Sequence, residues 1–197
     1  DGTAPAAGSA SAAPVTITTS TLLEARAFRD IAGVLRPCSV IASRRLVKID
    51  ELRNAFTAAP AGVDVLTSGD APWYPLQTTL ADGTTGMAVS SGLLFPGQFS
   101  EFTASFTLAG RTKLSFNMRE SGGDGQQSTA IIVTCDGENQ FLAFTSTPLA
   151  NGWMLLEDSL PPGQCKIGFY IPGSSSEGHA VAIAGCKLGH DNETLTL

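Results

Sequence analysis

FSEFTASFTL (99–108), TKLSFNMR (112–119) and STAIIVTC (128–135) follow one another closely. Only Ala109-Gly110 and the turn Gly122-Gly123-Asp124-Gly125 with its flanks separate them. The first two largely alternate apolar and polar residues, the period of a half-buried strand. The third carries Ile131-Ile132-Val133, apolar on both faces, as a central strand would be. Five further runs extend the pattern: GMAVS (86–90), QFLAFTS (140–146), GWMLLED (152–158), CKIGFYI (165–171) and HAVAIAGCKL (179–188). Asp136-Gly137, Asn151-Gly152, Pro161-Pro162-Gly163 and Pro172-Gly173 punctuate them. About eight strands at this spacing predict a mainly β fold, a jelly-roll β-sandwich over residues 63–197. No segment recurs at domain scale, so a single sandwich is expected.

The N-terminal third reads differently. Residues 1–14, DGTAPAAGSASAAP, form a small-residue tail that cannot build a core. VTITTST (15–21) suits a strand, making 1–21 a tail and extended arm. Residues 22–62 read as a helical or mixed segment. Thr21-Leu22-Leu23-Glu24 fits a capping box, and Leu23, Ala27, Phe28, Ile31, Val34 and Leu35 recur at helical spacing until Arg36-Pro37. Ser39 to Ala42 fits a short strand. Leu46, Ile49, Leu52 and Phe56 lean towards a second helix over an otherwise ambiguous stretch. The fold class expected is thus a sandwich with an N-terminal helix-containing arm. Strand 15–19 either completes its own sandwich or augments a neighbour's open sheet, with Val15, Ile17, Leu22, Leu23, Phe28 and Ile31 as arm contacts.

Composition narrows the function. The 197 residues (20.4 kDa) are 43% apolar and 15% charged, with net charge −6. Such an acidic chain is not a nucleic-acid binder, which needs clustered Lys and Arg. No apolar run approaches the roughly 20 residues of a membrane helix. Asp1 in first position fits an end left by signal-peptide cleavage. Cys38, Cys135, Cys165 and Cys186 contain no CxxC pair and, with only His179 and His190, offer poor material for zinc. An even count in a Gly/Ser/Thr-rich acidic chain favours an oxidising, extracellular setting with up to two disulfides, the alternative being four buried thiols. Three pairings are open; full oxidation would tie the arm to the sandwich. Asn192-Glu193-Thr194 fits a glycosylation acceptor.

The order of motifs from about Leu52 to Leu188 resembles a jelly-roll module of large secreted bacterial surface proteins, loosely similar to MAM domains and carbohydrate-binding modules. Thr67-Ser68-Gly69-Asp70-Ala71-Pro72-Trp73-Tyr74 is similar to that family's TGGDAPWF stretch. Asp82-Gly83 and Ser90-Ser91-Gly92 resemble its DG…QSG positions, and Leu114-Ser115-Phe116 its LSFWWKVSSE strand. Asp136-Gly137 is similar to its IDG and Gly152-Trp153 to a later Trp. Two features depart: Ile171-Pro172 stands where the family has Lys-Asp, and Gly178 to Gly185 replaces GSDAAWID with small and apolar residues. The resemblance implies a sandwich and is nearly silent on ligand.

No catalytic cluster stands out. Gly173-Ser174-Ser175-Ser176-Glu177-Gly178 lacks the strand–turn–helix context of a nucleophile elbow. Gly123-Asp124-Gly125-Gln126-Gln127-Ser128 fails the dinucleotide fingerprint. Glu157 and Asp158 are adjacent, so on a strand they face opposite ways. His179 and His190 read as surface or edge imidazoles. Asp70, Asp82, Asp124 and Asp136 sit in Gly-rich loops and are the candidate calcium ligands, although such residues usually cap turns; no cofactor is otherwise expected. Trp73, Tyr74 and Trp153 are the candidate aromatic platform for a sugar, with Tyr170 a fourth aromatic of the same kind; the indoles also suit packing against the core. The resulting expectation is a non-catalytic structural subunit of an extracellular assembly: a filament, surface layer or virion decoration. Its partners would be copies of itself or other subunits. The alternative is a carbohydrate-binding or adhesion module with glycan partners.

Overall fold

The computed structural model describes residues 18–37, 39, 42–57, 61–122, 129–140, 142–173 and 178–190. The chain divides into two compact units, residues 1–48 and 49–197.

The second unit opens with helix α1 (Ile49–Phe56). Asp50 and Glu51 lie in its first turn, where the helix dipole favours anions, and Arg53 Nη1 pairs with Asp50 at 2.9 Å. Leu52, Ala55 and Phe56, spaced three and one apart, are its buried face. Eleven described strands follow. They are β5 (Asp64–Gly69), β6 (Tyr74–Thr79), β7 (Thr85–Ser90), β8 (Phe99–Leu108), β9 (Thr112–Gly122), β10 (Ala130–Cys135), β11 (Glu138–Gln140), β12 (Thr145–Pro148), β13 (Met154–Leu160), β14 (Gly163–Pro172) and β15 (His179–His190). They form a five-stranded sheet, β11-β10-β14-β8-β5, and a six-stranded one, β12-β13-β9-β15-β7-β6. Every pairing within these sheets is antiparallel. The chain changes sheet at most connections, as a jelly roll does.

The two sheets share one aromatic core. Phe169 of the five-stranded sheet meets Phe116 of the other edge-to-face at 5.3 Å, with Phe102 beside Phe169. Phe56 brings α1 into the same cluster, 5.0 Å from Phe102. The helix packs on β5 and on β6, β7 and β15, so it closes the side where both sheets end in an edge strand.

The outer face of the six-stranded sheet is covered as well. Val181 and Ile183 point into the sandwich, so by alternation Ala182 and Ala184 point outward. Trp153 lies over them and Ala88, with Leu80, Ala81 and Leu149 around it. Its Nε1 donates to the Thr79 carbonyl at 2.9 Å, and the Arg119 guanidinium sits 4.6 Å from its ring centre. The small residues of β15 that depart from the family pattern are therefore the floor of a second small core.

Most expected strands form with ends shifted by one or two residues. The run at 140–146 does not: β11 ends at Gln140 and β12 begins at Thr145, in different sheets. Two strands of the sandwich, β5 and β6, are not among the expected ones. β5 carries Asp, Ser and Gly, and β6 carries Pro75, which an edge strand tolerates.

The first unit corrects the expected helix over 22–35. Among its described residues are four short strands, β1 (Thr21–Ala25), β2 (Phe28–Ile31), β3 (Val34–Pro37) and β4 (Ala42–Leu46), paired β1–β4 and β2–β3. Thr21 donates to the Thr19 carbonyl and caps no helix. Ala32 (φ 54°) and Gly33 (φ 79°) make a turn with both central residues left-handed, the geometry that closes a two-residue hairpin; Gly33 donates to Asp30. The periodic apolar residues do not face a core: Leu22, Leu23, Ile31, Val34 and Leu35 are exposed and Phe28 half-buried. Helical spacing without a surface to bury against does not hold a helix. The division at 48/49 also places α1 with the sandwich, where the sequence reading drew its boundary at 62/63. Val15 and Ile17 lie outside the described residues.

Candidate functional site

On the outer face of the five-stranded sheet, Leu66, Ser68, Ile132, Lys166 and Tyr170 are exposed among the described residues. Phe102, Ala104 and Phe106 of β8 and Cys165, Ile167, Phe169 and Ile171 of β14 are buried. Their neighbours along each strand therefore face outward. The register orders those neighbours into rows. One row holds Ser68, Glu101, Tyr170 and Ala130, side by side on β5, β8, β14 and β10. The next holds Leu66, Thr103, Gly168 and Ile132, and a third Asp64, Ser105, Lys166 and Thr134.

At one end Tyr170 stacks on Phe99, with ring centres 5.9 Å apart and planes inclined at 25°. Each ring is 40% exposed. Ser68 Oγ donates to Glu101 Oε2 at 3.1 Å directly beside them. The loop Leu94–Gln98 is tied to the same strand end: Gly173 N donates to the Gln98 carbonyl, and Gly97 N to the Gly173 carbonyl. A Cβ at Gly173 would run into the Phe95 carbonyl, so this close approach requires glycine. It leaves Phe95 exposed beside the end of β14. In the middle row Gly168 contributes no side chain, which lowers the surface between exposed Leu66 and Ile132. At the far end Gly62, Asp64, Ser105, Thr107, Gln164 and Lys166 line an open trough of about 300 Å3. Arg53 reaches Asp64 at 3.7 Å. From Tyr170 to Gln164 is six residues of strand, about 20 Å. Half-exposed rings at one end and donors and acceptors of both charges beyond them suit an extended, hydroxyl-rich ligand.

The expected platform is not there. Trp73 is fully buried, 5.3 Å from Phe102 and 6.3 Å from Phe169, and its amide donates to Thr67 Oγ1. Trp153 is sealed in the second small core, and Tyr74 is half-buried on β6. Large aromatics close cores more often than they decorate surfaces, and here both indoles do so. Tyr170 is the sequence candidate that reaches the open face. Phe99 was read only as a strand end; its signal was its place opposite the end of a second predicted strand.

Of the described loop aspartates, Asp82 caps its own turn, whereas Asp70 and Asp136 tie their loops to distant strands. Asp70 accepts from Phe99 N, and Asp136 from Gln164 N. Asp82 accepts from both the amide and the hydroxyl of Thr84, which holds its carboxyl below the ordinary range. Asp124 lies outside the described residues. Among the described residues, no group of three His, Cys, Asp or Glu side chains is gathered as metal ligands would be.

Cys135 and Cys165, directly opposed on β10 and β14, form a disulfide. Cys186 is a buried free thiol, its pKa pushed up to about 12 by burial. Cys38 lies outside the described residues. The observed bond thus stays within the sandwich. His179 corrects a second expectation. It is 1% exposed, neither ring nitrogen has a hydrogen-bond partner, and Glu120 stands 4.0 Å from Nε2. The side chain of His190 and the triplet at 192–194 lie outside the described residues. Glu157 pairs with Lys113 at 2.9 Å, whereas Asp158 turns inward and accepts from Ser159 N. Among the described residues no helix is long and apolar enough to cross a membrane.

Comparisons with protein-family models and with curated proteins find no match. Solved structures give fold-level likenesses. A carbohydrate-binding module, TmCBM61 in complex with β-1,4-galactotriose, is 18% identical with a TM-score of 0.42, over 64% of this chain and 88% of that one. A family 11 carbohydrate-binding module from Clostridium thermocellum is 14% identical with a TM-score of 0.36, over 66% and 89%. The enzymatically active domain of bacteriophage CBA120 tailspike protein 4 is 12% identical with a TM-score of 0.45, over 66% of this chain and 19% of that one. The chain is thus similar to carbohydrate-binding modules of β-sandwich type, and it spans about a fifth of the tailspike's length.

Proposed function

We propose that the protein binds carbohydrate, without catalysis, on the outer face of the five-stranded sheet. The observation that carries this reading is the stacked, half-exposed pair Tyr170–Phe99. Sugar rings have apolar faces that rest on aromatic surfaces, and equatorial hydroxyls that need fixed donors and acceptors. Ser68 and Glu101 supply these beside the rings, and Asp64, Ser105, Gln164 and Lys166 supply them along the trough. The disulfide Cys135–Cys165 favours an extracellular site of action.

Glycan-array screening followed by calorimetry tests the reading. Tyr170→Ala and Phe99→Ala should each weaken a bound glycan by about tenfold or more while the fold survives, since both rings are partly in solvent. Lys187→Ala, on the other sheet, should bind normally. Retention of no glycan, or binding indifferent to Tyr170→Ala, refutes it.

A second reading is a structural subunit of an extracellular assembly, whether filament, surface layer or virion decoration. What favours it is the N-terminal unit, in which no described side chain is buried.

A further inference from the structure

The N-terminal unit poses a physical problem. Its strands form two separate two-stranded ribbons, and isolated ribbons of that kind are marginal in water. None of its described side chains is buried to offset the entropy of ordering them. Within the β2–β3 hairpin, Arg29 stands directly opposite Arg36. Like charges at directly opposed positions repel, and neither guanidinium has a partner among the described residues. By alternation, Ile31 and Val34 share their face, each about half exposed. The hairpin thus presents an apolar pair beside two guanidinium groups that have no partner among the described residues.

The distribution of charge says what suits this face. Residues 1–48 hold six of the twelve basic residues and three of the eighteen acidic ones, a net charge of +3. Residues 49–197 hold the other six and fifteen, a net charge of −9. We infer that the face formed by Arg29, Ile31, Val34 and Arg36 docks on the acidic sandwich unit of a second copy of this chain. A carboxylate placed between the two arginines removes their repulsion, and the contact covers Ile31 and Val34. The contact is heterologous, a basic face on a unit of opposite net charge, so it propagates from copy to copy unless the geometry closes a ring. The inference rests on the assembly reading and is independent of carbohydrate binding.

Sedimentation equilibrium of the full chain, from about 0.05 M to about 0.5 M salt, tests it. The wild type should associate at low salt and dissociate as salt rises. Arg29→Glu/Arg36→Glu should weaken the association at low salt by about tenfold or more. Both Trp residues lie in the sandwich, so unchanged Trp emission shows that the variant's sandwich is intact. Association that persists unchanged in the variant keeps the assembly reading and overturns this docking face. A chain that stays monomeric at every concentration overturns both. Hydrogen-exchange protection of the hairpin in that monomer would place the docking within a single chain.

Discussion

Breaking the Cys135–Cys165 bond should lower the stability of the sandwich by an amount that chain entropy sets. The bond spans a sequence separation of 30. Within that span the chain leaves β10, forms β11, crosses to the other sheet as β12 and β13, and returns to β14. Closing a loop of about this length in the unfolded chain removes roughly 12 cal/mol/K, or about 3.6 kcal/mol at 25 °C. For a unit of this size each kcal/mol moves Tm by about 2–4 °C, so the midpoint should fall by about 7–14 °C. Trp73 and Trp153 are the chain's two indoles, both buried in this unit, so Trp emission follows its unfolding selectively. The assay compares oxidised protein, reduced protein and Cys135→Ala/Cys165→Ala in thermal melts. The reduced form keeps the cysteine side chains and so isolates the cross-link from their packing. If mass spectrometry shows the bond open and the oxidised and reduced midpoints still coincide, the entropic reasoning is wrong.

Trp153→Ala should cost about 3–5 kcal/mol, because it opens a cavity over Ala88, Ala182 and Ala184 and removes the indole's hydrogen bond to the Thr79 carbonyl, leaving that oxygen to Arg119; a melt within 1 kcal/mol of wild type would contradict the second core. His179→Leu should be neutral or stabilising, since it replaces a buried ring whose two nitrogens have no hydrogen-bond partner, Glu120 standing 4.0 Å away. A clear loss of stability in that variant would show that the imidazole is satisfied in solution. Asp82 has a lowered pKa in the folded state, first through the Thr84 hydroxyl and then the Thr84 amide. Its contribution is therefore present above the ordinary carboxylate pKa and is lost as pH falls through the lowered one. Asp82→Asn should flatten that part of the stability–pH curve, read from melts between neutral pH and about pH 3.

Much of the sandwich is legible because its strands are long and alternate. Phe102, Ala104 and Phe106 announce an inward face, and the Gly and Asp turns announce where it ends. Leu52 and Phe56 point to a helix that α1 confirms, since one side of it is buried. The hairpin at 28–37 was illegible for the opposite reason. Its apolar residues repeat at helical intervals, but the left-handed turn at Ala32-Gly33 sends the chain back on itself. Periodicity reports which residues could share a face, not whether a surface exists to receive that face.

The aromatic residues draw the same line. Sequence alone determines that two Trp and two Tyr are available, that the chain is acidic, and that strands near 99–108 and 165–171 exist. It also places Cys135 and Cys165 on separate strands. Only the tertiary structure decides that those strands are neighbours in register. That registration brings Tyr170 onto Phe99 at the surface, joins Cys135 to Cys165, and buries Trp73 and Trp153. Alternation settles which residues share a face of one strand; which face meets water depends on what the other sheet, the helix and the loops cover, and those contacts come from residues far apart in the chain.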